Sequence, residues 1–197
     1  MRIYFAKALC LVLAVVCPVL VIGYPSGPPI RRTGAPGDRT CLDASCHVGV
    51  RLNDSTDLRL ETGSNFRYTP GGPSQRWLVR IDDNLARAFG FQMSVRTAAN
   101  PESGPAGQLR SVESTTQVVC DNQLLSGAGG CSPAGLVQFA QHTLPGEQGQ
   151  FEVEWMPPAD SVGDVIVFVA GNASVTGQRN SRIHLRSFVI RPAATRG

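Results

Sequence analysis

The chain is 197 residues long, 42% apolar and 17% charged, with 18 basic against 15 acidic side chains. That length suffices for one domain with a substantial core, and the balance lacks the clustered basic face of a nucleic-acid binder. No G-x-S-x-G elbow, Walker glycine loop or H-E-x-x-H run occurs, so the usual serine-hydrolase, nucleotide and zinc-protease signatures are missing.

Arg2 and Lys7 precede an apolar run from Ala8 to Ile22. A short basic start, an apolar stretch of this length and a polar continuation read as a secretory signal cut before Tyr24. A membrane anchor would need about 20 apolar residues. Residues 1–23 are therefore assigned to the signal, with no membrane span after its removal and a secreted or extracytoplasmic location, periplasm or cell surface. Removing Arg2 and Lys7 takes the basic count from 18 to 16 against 15 acidic side chains, leaving a nearly neutral chain. Cys10 and Cys17 leave as well, so Cys41, Cys46, Cys120 and Cys131 remain. An even number of cysteines in an exported chain favours pairing.

Residues 24–55 form a Pro/Gly-rich arm (Pro25, Gly27, Pro28, Pro29, Gly34, Pro36, Gly37) that cannot hold a ladder and is expected to run extended over the surface. It carries the cluster Cys41-Leu42-Asp43-Ala44-Ser45-Cys46-His47. Residues 56–192 then read as strands. Thr56–Glu61 alternates polar and apolar, and Trp77, Val79 and Ile81 share one strand face. Asp82-Asp83-Asn84 is a turn. Phe89, Phe91, Met93 and Val95 line one face of the clearest strand, with Gly90 on the other face where a neighbouring backbone could approach.

A strand-like run ends at Val118-Val119, and Cys120 and Cys131 flank a Gly-rich loop that can close as a disulfide. Gly135–Gln141 and Gln150–Trp155 are further strands, the second exposing Glu152 and Glu154. Asp164–Ala170 is apolar on both faces and belongs in a central position. A loop over residues 171–180 and a last strand, Ile183–Ile190, close the domain, leaving 193–197 as a short tail. About eight short strands without a helix predict an all-β, two-sheet antiparallel sandwich, its core supplied by Trp77, Phe89, Phe91, Phe151, Trp155 and Phe168.

Several phrases, in their order, carry a resemblance: Thr33-Gly34-Ala35-Pro36-Gly37-Asp38, Tyr68-x-Pro70-Gly71, Phe89-Gly90-Phe91-Gln92, Gln141-His142-Thr143, Trp155-x-x-Pro158, Gly163-x-Val165 and Ala170-Gly171-Asn172-Ala173. Together they resemble the Reeler-like, choice-of-anchor domain family of exported bacterial proteins. The resemblance covers nearly the whole mature chain. It implies an extracellular sandwich related to the reelin N-terminal domain, and it brings no enzyme activity. Two departures matter. Family members usually carry C-x-x-C-H where this chain has C-x4-C-H, and many end in a sorting tail, whereas this chain stops at Gly197 without an apolar segment.

The cysteine cluster admits several readings. In a c-type haem site, Cys41 and Cys46 form thioethers, His47 ligates iron, and the sixth ligand comes from His142, Met93, Met156 or His184. His142 is preferred because it follows an apolar strand within a family phrase; His184 reads as a surface or sheet-face residue. Alternatively Cys41 and Cys46 form a disulfide and His47 is a loop residue. Zinc held by Cys41, Cys46, His47 and His142 is a third reading. Asp82-Asp83 and Glu152/Glu154 read as a turn and a solvated face rather than catalytic carboxylate pairs. Asn53–Asp57 lacks the full acidic spacing of a calcium loop, and Gly171-Asn172 reads as a turn.

The expected function is a secreted, non-catalytic binding or surface module, whose partner is a surface protein or polysaccharide. The alternatives are a monohaem electron carrier serving a redox partner, and an extracellular adhesion module.

Overall fold

The computed structural model describes residues 26–43, 47–176 and 179–194. Eleven strands and no helix make up the described residues: β1 (Val48–Asn53), β2 (Leu58–Glu61), β3 (Arg67–Tyr68), β4 (Gln75–Ile81), β5 (Ala88–Thr97), β6 (Gln108–Ser111), β7 (Thr116–Cys120), β8 (Gln138–His142), β9 (Gln150–Met156), β10 (Val165–Thr176) and β11 (Arg179–Pro192). A seven-stranded sheet runs β1-β11-β10-β5-β8-β7, with β3 joining β11 at one end. It packs on a four-stranded sheet ordered β2-β4-β9-β6. The result is the expected sandwich, mostly antiparallel, with β1 and β3 each parallel to β11.

Period-two alternation explains the interior. Trp77, Val79 and Ile81 of β4, and Phe151, Val153 and Trp155 of β9, face Phe89, Phe91, Met93 and Val95 of β5. Trp77 stacks on Trp155 at 4.7 Å and Phe91 on Phe151 at 4.6 Å, while Tyr68 meets Trp155 edge-on at 5.7 Å. The one indole N–H of Trp155 donates to the Ala106 carbonyl at 2.9 Å, so the ring is buried without an orphan donor. Each such ring stabilises by about 1.5–3 kcal/mol relative to exposure. Phe168 was expected among them but is only partly buried. It stands on the opposite face of β10 from Val167 and Val169, where the Arg96 guanidinium lies 5.9 Å above its ring.

Two local expectations change. Residues 171–180, expected as a loop, hold the end of β10 and the start of β11, which pair antiparallel from Val165/Ile190 to Thr176/Arg179. Gly171 lies within the sheet because a Cβ there would meet Ile81 Cδ1 at 2.8 Å. β1, inside the expected arm, is an edge strand exposed over most of its length, so it carries little apolar signal. Cys120 and Cys131 are bonded, as expected, with Cα atoms 5.7 Å apart. Residues 1–23, and with them the expected signal, lie outside the described residues.

The arm lies on the outer face of the large sheet, and this placement creates the site. Thr33–Asp38 forms a buckle: Asp38 N–H donates to the Ala35 carbonyl at 2.8 Å and Thr33 Oγ1 donates to Asp38 Oδ2 at 2.6 Å. Gly34 and Gly37 take φ of 74° and 77°, which L side chains resist. The buckle delivers Asp38 to Arg96 of β5, where Nη2 donates to Oδ2 at 2.5 Å and both side chains are fully buried. Arg96 also donates to Ser94 Oγ and to the carbonyls of Pro36, Pro101 and Glu102. A buried guanidinium survives only with such complete pairing.

Candidate functional site

Gln92 on the outer face of β5 ties three elements together. Its Oε1 accepts from Arg32 N–H at 2.6 Å, and its Nε2 donates to the Pro29 carbonyl at 3.0 Å and to Gln141 Oε1 of β8 at 2.7 Å. Next to this knot the arm and the sheet enclose a cavity of about 40 Å³. Its walls are Pro28, Pro29, Arg32, Cys41, His47, Gly90, Phe91, His142, Ala170 and Asn172. His47 and His142, far apart in sequence, therefore face one space, together with Cys41. Gly90 is what lets His142 in: a Cβ there would lie 2.6 Å from the imidazole Cε1. The space opposite Gly90, expected to admit a backbone, is filled by an imidazole.

Both rings are anchored through Nδ1. That of His47 lies 3.0 Å from Ser181 Oγ. That of His142 lies 3.1 Å from both the backbone N and the carbonyl O of Phe91. Among the described residues, Nε2 makes no hydrogen bond on either ring. Burial lowers the pKa of His47, and the nearby His142 lowers it further. Burial likewise lowers that of His142, partly offset by its bond to the Phe91 backbone. Both shifts favour the neutral imidazole. Two further atoms in the wall are buried without a partner, Arg32 Nε and Asn172 Oδ1. The Arg32 Nη1 group donates to the Arg31 carbonyl at 2.9 Å, and among the described residues Arg32 makes no ion pair. No acidic side chain lines the cavity.

The readings of Cys46 as thioether, disulfide partner or zinc ligand lie outside the described residues, which omit 44–46. Among the described residues no group of three or more His, Cys, Asp and Glu is arranged to hold a metal ion. Of the other expected axial ligands, Met93 is locked in the apolar core. His184, expected near the surface, is fully buried: its Nδ1 lies 2.8 Å from Ser55 Oγ, and its Nε2 lies 3.4 Å from Asp83 Oδ2 without a well-aligned hydrogen bond. Burial lowers the pKa of His184, with Asp83 partly opposing the shift.

Ser55, His184 and Asp83 have the composition of a nucleophilic triad but not its access. Ser55 is buried and does not line the neighbouring cleft of about 660 Å³, whose walls include Asp57, Asp82, Asp83, Glu147, Arg182 and His184. A nucleophile must reach a substrate. Asp83 is instead clamped by both Nε and Nη2 of Arg182. Burial alone would raise its carboxyl, but the Arg182 bonds and the Leu85 N–H outweigh that and hold it below the ordinary carboxylate range. Asp82 pairs with Arg59 at 3.1 Å on the surface, which leaves no free carboxylate couple there.

Arg32 was not singled out from the sequence, nor were Ser55, His184 and Asp83 as one chain, and Asn172 figured only in a family phrase and a turn reading. The Arg31-Arg32 pair within an otherwise uncharged Pro/Gly stretch is the one signal that could have flagged the first.

No family model matches the chain, and no curated protein matches it by sequence. Its fold matches solved Reeler domains. The human F-spondin reeler domain superposes with a TM-score of 0.52 at 16% identity, covering 74% of this chain and 94% of that one. A Reelin-N domain of F-spondin superposes with a TM-score of 0.50 at 15% identity, covering 74% and 93%. At such identities the likeness establishes the fold: this chain is a Reeler-like β-sandwich.

Proposed function

We propose that this Reeler-like sandwich is an exported, non-catalytic binding module whose ligand seats between the arm and the large sheet. The observation that carries the reading is the convergence of His47, His142, Arg32 and Asn172 on one cavity, with Arg32 Nε and Asn172 Oδ1 buried without a hydrogen-bond partner among the described residues. A few placed polar groups in a largely apolar wall are the usual make-up of a binding site. The phrases behind the family resemblance supply much of it: Gly90 and Phe91, His142, and Ala170 with Asn172. The Cys120–Cys131 disulfide supports an oxidising, extracytoplasmic location. The inaccessible Ser55 argues against a hydrolase. The partner we expect is a polymer or protein of the cell surface, which includes adhesion.

Binding of the purified protein to cell-envelope fractions tests this. Saturable binding that a His142→Ala variant loses while keeping its β-sheet spectrum is the expected result. Envelope binding unchanged in that variant, or turnover of an envelope component, would overturn it.

A second reading, a c-type haem electron carrier, is favoured by one specific observation: His47 and the preferred axial partner His142 do share a cavity with Cys41. When bound, haem would supply one-electron chemistry toward a redox partner. The fit is poor. A cavity of about 40 Å³ is far below the roughly 300–1,000 Å³ of sites for organic ligands. Intact mass and an absorbance scan after co-expression with haem-attachment machinery decide it: a covalent porphyrin mass with a Soret band supports haem, and their absence ends the reading.

A further inference from the structure

The cavity's chemistry also indicates what kind of group it receives, an inference that rests on the binding-module reading above. We infer that it is an anion subsite for the carboxylate of a small organic acid, gripped by Arg32 Nε–H and by Nε2–H of His47 and His142.

The charge balance comes first. Among the described residues, Arg32 is the only formally charged one in the wall, and no Asp or Glu shares it. Its Nη1 bonds are to backbone carbonyls, which leave the positive charge uncompensated. A buried donor without an acceptor costs about 1–3 kcal/mol, so an orphaned Arg32 Nε calls for an acceptor in the cavity. An anion supplies the acceptor and the countercharge together.

The histidines fit the same occupant. Nδ1 of His142 can accept from the Phe91 N–H, and Nδ1 of His47 can accept from Ser181 Oγ–H. With Nδ1 accepting, each ring carries its proton on Nε2, and the two become a second and third donor; for His142 this tautomer uses the Phe91 N–H rather than the equally distant Phe91 carbonyl. Asn172 completes the set, because its terminal amide can rotate to present Nδ2–H to the anion in place of its orphaned Oδ1.

Size narrows the class. The cavity is about 40 Å³, against roughly 150 Å³ for a cavity that holds benzene, and one water needs about 10–15 Å³. A carboxylate with at most a short tail fits, and a ring does not. Pro28, Pro29 and Ala170 provide apolar contact for the carbon end. The simplest competing occupant is water, which could satisfy the same orphans.

The test uses full-length mature protein, uniformly ¹⁵N-labelled, with imidazole nitrogens followed by NMR as sodium acetate is added. Acetamide serves as the uncharged isostere and sodium chloride as the ionic-strength control. Saturable shifts of the His47 and His142 ring nitrogens with acetate alone are expected. Arg32→Gln should weaken acetate binding roughly tenfold or more with the backbone amide spectrum otherwise retained. Gly90→Ala should abolish it by displacing the His142 ring. A response to acetamide equal to that to acetate, no saturation with acetate, or an unchanged affinity in Arg32→Gln would each overturn the inference and leave water as the occupant.

Envelope binding separates this inference from the module reading. Acetate binding without envelope binding sinks the module and leaves the subsite standing. Envelope binding that excess acetate does not compete sinks the subsite as part of that interface.

Discussion

The inner face of β5 carries Phe89, Phe91, Met93 and Val95, and its outer face carries Gly90, Gln92, Ser94 and Arg96; both faces are buried. The inner one is covered by rings and aliphatic chains of the small sheet, the outer one by a Pro/Gly arm held through hydrogen bonds and the ion pairs Arg96–Asp38 and Arg31–Asp121. Apolar contact is non-directional and tolerates swaps that conserve volume. The arm's contacts are directional, so removing either partner strands the other. The two faces should therefore fail in different ways.

The largest effect is expected on the inner face. Trp155→Ala removes the ring stacked on Trp77 and met by Tyr68, and should cost about 3–5 kcal/mol in urea unfolding; a loss below about 1 kcal/mol would mean that the two sheets are not held as described. Asp38→Asn leaves Arg96 charged and buried without its counterion, and should cost about 3–5 kcal/mol. Native-state hydrogen exchange separates this from the first case, because protection should fall first at Gly34, Asp38 and Arg39. Replacing the pair together, Asp38→Leu with Arg96→Met, should recover part of the loss. Uniform loss of protection across β4 and β9 would show that the arm and core are one unit.

Opening the Cys120–Cys131 link by paired Ser substitution should cost about 2–4 kcal/mol. It should leave exchange on both faces of β5 nearly unchanged, since the bridge closes the loop after β7.

Acid gives the mildest and most graded test. His47, His142 and His184 all have folded pKa values below the ordinary 6.5. The unfolded chain then binds more protons than the native one in that range. Stability is complete above pH 6.5 and falls as pH drops from there toward the depressed folded values. Asp83 is shifted the same way from 3.8, so its share persists above that value and is lost as pH falls toward its folded pKa. Urea midpoints measured from neutral to mildly acidic pH should decline. A His184→Gln variant should decline less steeply, and an identical slope would remove His184 from the account.

The strands were legible where their signal was local. β4, β5 and β9 alternate cleanly because each has one apolar face, and Cys120 and Cys131 are brought together by their own loop. β1 was hidden because an exposed edge strand has no apolar face to display. Residues 171–176 looked like a loop because Gly171 and Asn172 are turn formers, whereas Gly171 is there for lack of room against Ile81. His142 was picked out from its phrase. Arg32 was not, and Asn172, though inside its own phrase, was read as a turn, because what distinguishes both is a buried atom without a partner among the described residues, and no spacing encodes that.

Alternation with a period of two residues, read with the cysteine count, was enough to establish an all-β sandwich and one loop-closing bridge, because both arise between near neighbours in the chain. The laying of residues 28–41 across β5, the meeting of His47 with His142, and the burial of His184 against Ser55 and Asp83 were decided only in three dimensions. Each depends on hydrogen bonds and close approaches between residues far apart in sequence, whose free energy exists only after the sheets have formed.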